Sequence, residues 1–307
     1  MIGVLEGFGV IAVVILVGYL AGRSGVLGKQ ADFVLSRIAF YVLSPPLLFS
    51  VLARADVHSL FSTQLPVAAI SAIVIFAIYL AFALLIWKRA IPEAIVGTLG
   101  AGYQNANNIG LPLGLYILGD AAASAPIVML QLIVFAPIAL TILDATTGAK
   151  QSIARTLTQP LRNPLIIGSV LGVICAAFGW LPPDIVMAPL DLVAAAAVPI
   201  LLLNFGLSLA GDRVLAPGPY RKDVILASAL KLIAMPVAAW AIAKFAFGLD
   251  GHALFAAVIL AGLPSAQNVF NWSQRYDRGV IIGRDTVFVT TLGSIGALVV
   301  IAWALTA

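Results

Sequence analysis

Two stretches decide how this chain is read. They are Gln104-Asn105-Ala106-Asn107-Asn108-Ile109-Gly110-Leu111-Pro112 and Leu263-Pro264-Ser265-Ala266-Gln267-Asn268-Val269-Phe270-Asn271. Each interrupts a long apolar run with amide side chains and a proline. Such residues are costly in lipid and are tolerated where they face protein or line a watery cavity. Paired interruptions in corresponding places of two half-chains mark the substrate site of a secondary transporter.

Composition agrees with a membrane setting. Of 307 residues, 62% are apolar and only 10% are charged. A soluble domain carries roughly 25% charged residues to cover its surface. Lipid must therefore solvate most of this chain. The net charge of +4 invites a nucleic-acid partner, but the basic residues lie scattered in short connections and form no stripe. The single Cys175 excludes an intramolecular disulfide framework.

A membrane helix needs ~20 apolar residues. Ten spans are expected, at about 2–22, 33–53, 65–87, 93–118, 125–146, 163–181, 187–210, 223–247, 251–274 and 284–306. The first lacks the basic flank and cleavage site of a secretion signal. With ten spans, fourteen Lys and Arg residues fall on one side: Arg23, Lys29, Arg37, Lys88, Arg89, Lys150, Arg155, Arg162, Arg213, Arg221, Lys222, Arg275, Arg278 and Arg284. Only Arg54 and Lys244 fall on the other, and Lys231 lies inside a span. The positive-inside rule makes the basic side cytoplasmic and puts both termini outside.

Five spans is an odd number, so two five-helix units must enter the membrane in opposite senses. The expected fold class is an all-α membrane protein of two inverted repeats, 1–150 and 151–307, joined by a seam at residues 147–162. Pro45-Pro46-Leu47-Leu48 and Pro199-Ile200-Leu201-Leu202 are a weak internal echo.

Within the fourth span, Pro112 lacks an N–H, and its ring clashes with the Asn108 carbonyl. With Gly110 beside it, the helix is expected to open around Asn107–Gly110 and restart near Pro112. A restarted helix offers free N–H groups and a positive dipole end to an anion. Asn105 and Asn108 would share a face if the first half stays helical that far. In the ninth span Pro264 precedes Ser265, Gln267, Asn268 and Asn271. Interhelical bonding is the bland role for any one of these amides; four within five residues beside Gly-x-Pro favour a site. Candidate substrate-binding residues are therefore Gln104, Asn105, Asn108, Gln267, Asn268 and Asn271, with Gly110, Pro112 and Pro264 forming the breaks. Phe270 and Trp272 are placed to cover an organic ligand, although Trp near a helix end more often sits in an interfacial belt.

Asn105-x-x-x-x-Gly110-Leu111-Pro112 resembles the fourth-helix motif of the auxin efflux carrier family. Leu263-Pro264-Ser265-Ala266-Gln267-Asn268-Val269-Phe270, followed by Arg275-Tyr276, resembles its ninth-helix motif. The likeness extends along the whole chain. It implies a fold similar to the bile-acid sodium symporters, with spans 1, 2, 6 and 7 as scaffold and spans 3–5 and 8–10 as transport domain. It implies that the fourth and ninth spans cross at their breaks and that Asn105 helps hold a substrate carboxylate. It also implies a homodimer through the scaffolds. Gln267 and Asn268 stand where plant members are apolar, and residues 147–162 are far too short for the long loop of many plant members. The chain therefore resembles a compact bacterial member in the inner (plasma) membrane, and plant auxin specificity does not follow.

Lys231 is the only basic residue deep in a span, eight residues after Asp223. It is either a charge that attracts an anion or exchanges a coupling proton, or a snorkelled or paired structural lysine. His58 and His252 fall at outer connections without Cys or carboxylate clusters, so no metal site is expected. Glu6 and Asp144 lie near helix ends. No Ser/His or Ser/Lys pair marks an intramembrane hydrolase, so no enzyme and no cofactor are expected. The expectation is a carrier of small organic anions by alternating access. Its coupling to H⁺, to Na⁺ or to membrane potential stays open. The alternatives are a sodium-coupled symporter of the bile-acid type and, behind it, a channel or receptor.

Overall fold

A computed structural model describes residues 2–28, 30–55, 63–120, 122–147, 162–208, 210 and 218–306. Most of the expected seam, 148–161, and His58 lie outside these residues. Regular structure among the described residues is helical, apart from one isolated β-bridge. The helices are α1 (Ile2–Ser24), α2 (Ala31–Ala53), α3 (Gln64–Ile86), α4 (Ile91–Gly102), α5 (106–118), α6 (Ala125–Thr147), α7 (Pro164–Ala177), α8 (Asp184–Leu207), α9 (Arg221–Ala246), α10 (Gly251–Ala261), α11 (Gln267–Tyr276) and α12 (Val280–Thr306).

Six of these are long and apolar enough to cross a membrane: α2, α3, α6, α8, α9 and α12. They fall on the expected spans 33–53, 65–87, 125–146, 187–210, 223–247 and 284–306. Gly9–Ser24 within α1, α7 and α10 are apolar but shorter.

Prolines inside these helices rarely break them. A π turn absorbs them instead. Four π turns each end two residues before a proline: Ala39–Leu43 before Pro45, Ala106–Gly110 before Pro112, Gln131–Phe135 before Pro137 and Leu230–Ala234 before Pro236. A proline supplies no N–H and pushes on the carbonyl four residues back. Hydrogen bonding five residues ahead widens that turn and relieves both faults.

The chain folds as two compact units. One comprises residues 1–62, 106–133 and 158–212. In it α1 and α8 approach until backbones touch: a Cβ on Gly18 would strike the Leu203 carbonyl, and one on Gly206 the Ile15 carbonyl. Small residues at such contacts are how helices gain packing where lipid leaves no hydrophobic drive. Asn204 and Ser36 add a hydrogen bond between α8 and α2 at 2.9 Å.

The other unit comprises residues 63–105, 134–157 and 213–307. One apolar cluster joins α3, α4, α9 and α10 through Ile75, Tyr79, Ala94, Ala227, Met235 and Val258. A second joins α4 to the C-terminal part of α6, α11 and α12 through Val96, Leu99, Leu140, Val269 and Ile282. An ion pair ties the α3–α4 connection to the start of α9. Arg89 reaches the fully buried Asp223 with Nε at 3.1 Å and Nη2 at 2.6 Å, and also donates to the Pro219 carbonyl. The Asp223 bond holds Arg89 protonated more firmly than an ordinary guanidinium.

Local geometry recurs within this unit. α3 ends in a π turn at Phe82–Ile86, a left-handed Lys88 (φ 51°) and an N–H bond from Arg89 to the Ala83 carbonyl. α9 ends in a π turn at Ile242–Ala246, a left-handed Gly248 (φ 63°) and an N–H bond from Leu249 to the Ala243 carbonyl. Every element of the second set lies 160 residues after its counterpart.

Candidate substrate site at the helix breaks

α4 stops at Gly102, where the backbone packs against Phe76; a Cβ there would lie 2.6 Å from the ring. Tyr103 turns extended (φ −88°, ψ 99°). α10 stops at Ala261, and Pro264–Ala266 run extended before α11 begins. The two extended pieces pair antiparallel. Asn105 N–H donates to the Pro264 carbonyl at 2.8 Å, and Ala266 N–H donates to the Tyr103 carbonyl at 2.9 Å. Gln104 and Ser265 sit opposite each other as the bridge. Donor and acceptor exchange places under a shift of 161 residues, so the pairing has a local two-fold character. Both broken ends thereby satisfy backbone groups that lipid could not.

The helix ends are closed by side chains from the same unit. Ser265 Oγ donates to the Gly100 carbonyl at 2.5 Å, while the Ser265 N–H donates to Thr290 Oγ1 at 3.1 Å. Lys231 is fully buried and donates from Nζ to the Ala261 carbonyl at 2.8 Å, with Met235 Sδ at 3.1 Å. It thus caps the C-terminal end of α10 from α9.

At the N-terminus of α11 no side chain caps the helix. Its first N–H groups have no partner within the helix. Gln267 and Asn268 occupy this first turn, half-buried. The Tyr103 hydroxyl is buried beside Asn268 without making a hydrogen bond that meets ordinary geometry. The Tyr103 ring stands edge-on to Trp272 at 5.3 Å. Uncapped N–H groups, two amides and a spare hydroxyl form a donor-rich, aromatic-walled corner suited to a carboxylate.

The sequence-derived candidates divide. Gln104 and Asn105 are buried and engaged, and lie in the bridge. Gln267 and Asn268 lie beside it; Asn271 is a turn further along α11 and exposed. Asn107 and Asn108 belong to the other unit, in the π turn that opens α5, and bond each other at 2.9 Å. The fourth-span break therefore lies at Tyr103–Asn105, not at Asn107–Gly110. Gly110 (φ −64°, ψ −42°) and Pro112 lie in helical backbone, because the π turn accommodates the proline. With residue 105 extended, Asn105 and Asn108 do not share a helical face. Pro264 does lie in an extended segment.

Tyr103 and Thr290 lie outside the sequence-derived candidates. Tyr103 immediately precedes the Gln-Asn pair, a usable signal; Thr290, in an apolar helix, gives none.

The sequence profile of a family described as "Membrane transport protein" matches residues 9–154 and 149–302. The chain is 28% identical over 303 residues to a Rhizobium meliloti protein titled "Putative malonate transporter", covering 96% of this chain and 92% of that one. It is 23% identical over 307 residues to an uncharacterized transporter of Methanocaldococcus jannaschii, covering 96% and 97%. It is 26% identical over 294 residues to one of Methanothermobacter thermautotrophicus, covering 94% of each. These matches, with the apolar helices and the two break motifs, assign the chain to the membrane transport protein family of auxin efflux carrier type, a family of multi-pass transporters and not of enzymes.

Proposed function

We propose that the protein carries small organic anions, carboxylates above all, across the membrane by alternating access, with the substrate held at the pairing of the two helix breaks. The observation that carries this is the uncapped N-terminus of α11 with the buried Tyr103 hydroxyl beside Asn268, short of a hydrogen bond of ordinary geometry. Asn105 and Asn268 supply further donors. The relative titled for malonate makes a short dicarboxylate one member of the class to try.

We further infer ten spans in two inverted sets of five, with both termini outside and the basic loops in the cytoplasm. The recurrence at 160 residues and the two-fold character of the bridge support the inverted repeat. The scaffold, the transport domain and a homodimer follow from the family resemblance.

The test is a thermal-shift titration of purified protein with malonate, succinate, benzoate and indole-3-acetate, each against its neutral amide. A ligand that binds only the folded state raises the midpoint with concentration. At least one acid, and not its amide, is expected to do so; no response to any acid overturns the anion site. Uptake into proteoliposomes with and without a Na⁺ gradient then separates a sodium-coupled symporter from an ion-independent carrier.

A further inference from the structure

The local two-fold of the bridge sets two backbone carbonyls in equivalent positions. The Gly100 carbonyl, near the end of α4, and the Ala261 carbonyl, at the end of α10, differ by the same 161 residues. Both have been freed near a break. Gly100 is closed by a neutral hydroxyl, from Ser265. Ala261 is closed by the amino group of Lys231, a side chain that elsewhere carries a charge.

A hydroxyl suffices for the capping job, as Gly100 demonstrates. An ammonium in the same role is expensive, because burial penalises its charged form. Lys231 is completely enclosed, and among the described residues no carboxylate comes within ion-pair distance of it. Its contacts are a carbonyl dipole and a thioether, which do not balance a whole charge. Its π turn at Leu230–Ala234 belongs to α9, the helix that packs on α10.

Only three residues separate Ala261 from Ser265 in the bridge, and α11 begins two residues later. The missing negative charge is therefore to be sought at the bridge itself. We propose that Lys231 is a positioning residue for substrate charge: its ammonium is the resident counter-ion of the bound carboxylate. It acts across the α10 terminus without touching the ligand. It cancels the negative dipole end of α10 that would otherwise repel an anion seated at the start of α11. One ammonium at the site balances one carboxylate, so the site favours an acid over its neutral amide.

This rests on the anion site proposed above, and the two can fail separately. The experiment measures equilibrium binding of malonate, succinate, benzoate and indole-3-acetate to full-length protein in detergent. Wild type is compared with Lys231→Gln, which keeps a donor for the Ala261 carbonyl but not the charge, and with Lys231→Met, which keeps neither. Lys231→Ala with added methylammonium, and with methanol as the neutral control, returns the charge without the tether and serves if the longer substitutions do not fold.

The expected result is at least a tenfold weaker affinity in both Gln and Met variants for whichever acids bind wild type. Methylammonium, but not methanol, should recover binding to Lys231→Ala. The amides of these acids, measured alongside, should bind wild type and variants equally weakly. If Lys231→Gln binds as wild type while Lys231→Met does not, Lys231 is only a cap and the counter-ion role is wrong. If all variants bind as wild type, or methanol rescues as well as methylammonium, the role is equally wrong. If wild type binds none of the acids, the anion site itself falls and the counter-ion falls with it.

Discussion

The Ser265 hydroxyl, at one helix break, closes the Gly100 carbonyl near the other, at 2.5 Å. Each break is thus finished partly by the residues of its partner, and neither end is complete without the other.

Ser265→Ala removes that closure and strands a buried carbonyl. Leaving such an acceptor unmade costs about 1–3 kcal/mol. The expected outcome is a lower unfolding midpoint in detergent, with Ser265→Thr intermediate. An unchanged midpoint for Ser265→Ala would show that the bridge alone holds the ends together.

Tyr103→Phe deletes a buried hydroxyl that makes no hydrogen bond of ordinary geometry. Relieving it should hold or slightly raise thermal stability. Ligand affinity should nevertheless fall, by the factor that a hydrogen bond to a charged group confers, roughly 10- to 150-fold. Stability and affinity moving in opposite directions is the signature; affinity unchanged in Tyr103→Phe removes the hydroxyl from the site.

Asn105→Ala and Asn268→Ala should weaken carboxylate binding by a similar order, about 1.5–3 kcal/mol each if the bond is to a charge. Asn105 is buried and engaged, so its loss should also reduce stability somewhat. Asn268 is half-buried, and its loss should not. Calorimetric titration with the acid that gives the largest thermal shift measures both.

Arg89→Met leaves the fully buried Asp223 carboxylate with the Tyr79 hydroxyl, at 3.4 Å, as its remaining side-chain donor. Breaking one side of such a pair costs about 3–5 kcal/mol, whereas replacing both sides by apolar groups is often nearly neutral. Arg89→Met should therefore be markedly less stable than Arg89→Met/Asp223→Leu. Chemical denaturation of the two variants decides the order.

The proposed orientation predicts an active alkaline phosphatase fused after Ala307 in a bacterial host, from the fourteen-to-two distribution of Lys and Arg. A silent phosphatase fusion together with a bright GFP fusion at the same position would overturn the ten-span count.

Much of this was legible in the sequence because two signals are physically coarse. Ten per cent charge leaves lipid as the solvent, and a twenty-residue apolar run leaves little choice but a helix. Pro264 marked its break correctly in position because no π turn precedes it. Pro112 points to a break displaced by about four to five residues for the opposite reason: the turn Ala106–Gly110 absorbs it, and nothing in a proline says which remedy the backbone will choose. Nor does a sequence show that Ala261 and Gly100 are equivalent positions capped by unlike groups. That equivalence appears only when the extended pieces are seen to pair. Tyr103 is hard to find because a tyrosine beside amides reads as packing until its buried hydroxyl is seen to lack a hydrogen bond of ordinary geometry.

The bridge between Tyr103–Asn105 and Pro264–Ala266 is made of main-chain atoms. Short of a proline at 105 or 266, no exchange of side chains deletes its two hydrogen bonds. Inheritance can therefore treat the crossing and the cargo as separate variables. Gln267 and Asn268, half-buried beside the pairing, can be exchanged to suit other ligands while its main-chain bonds stay as they are.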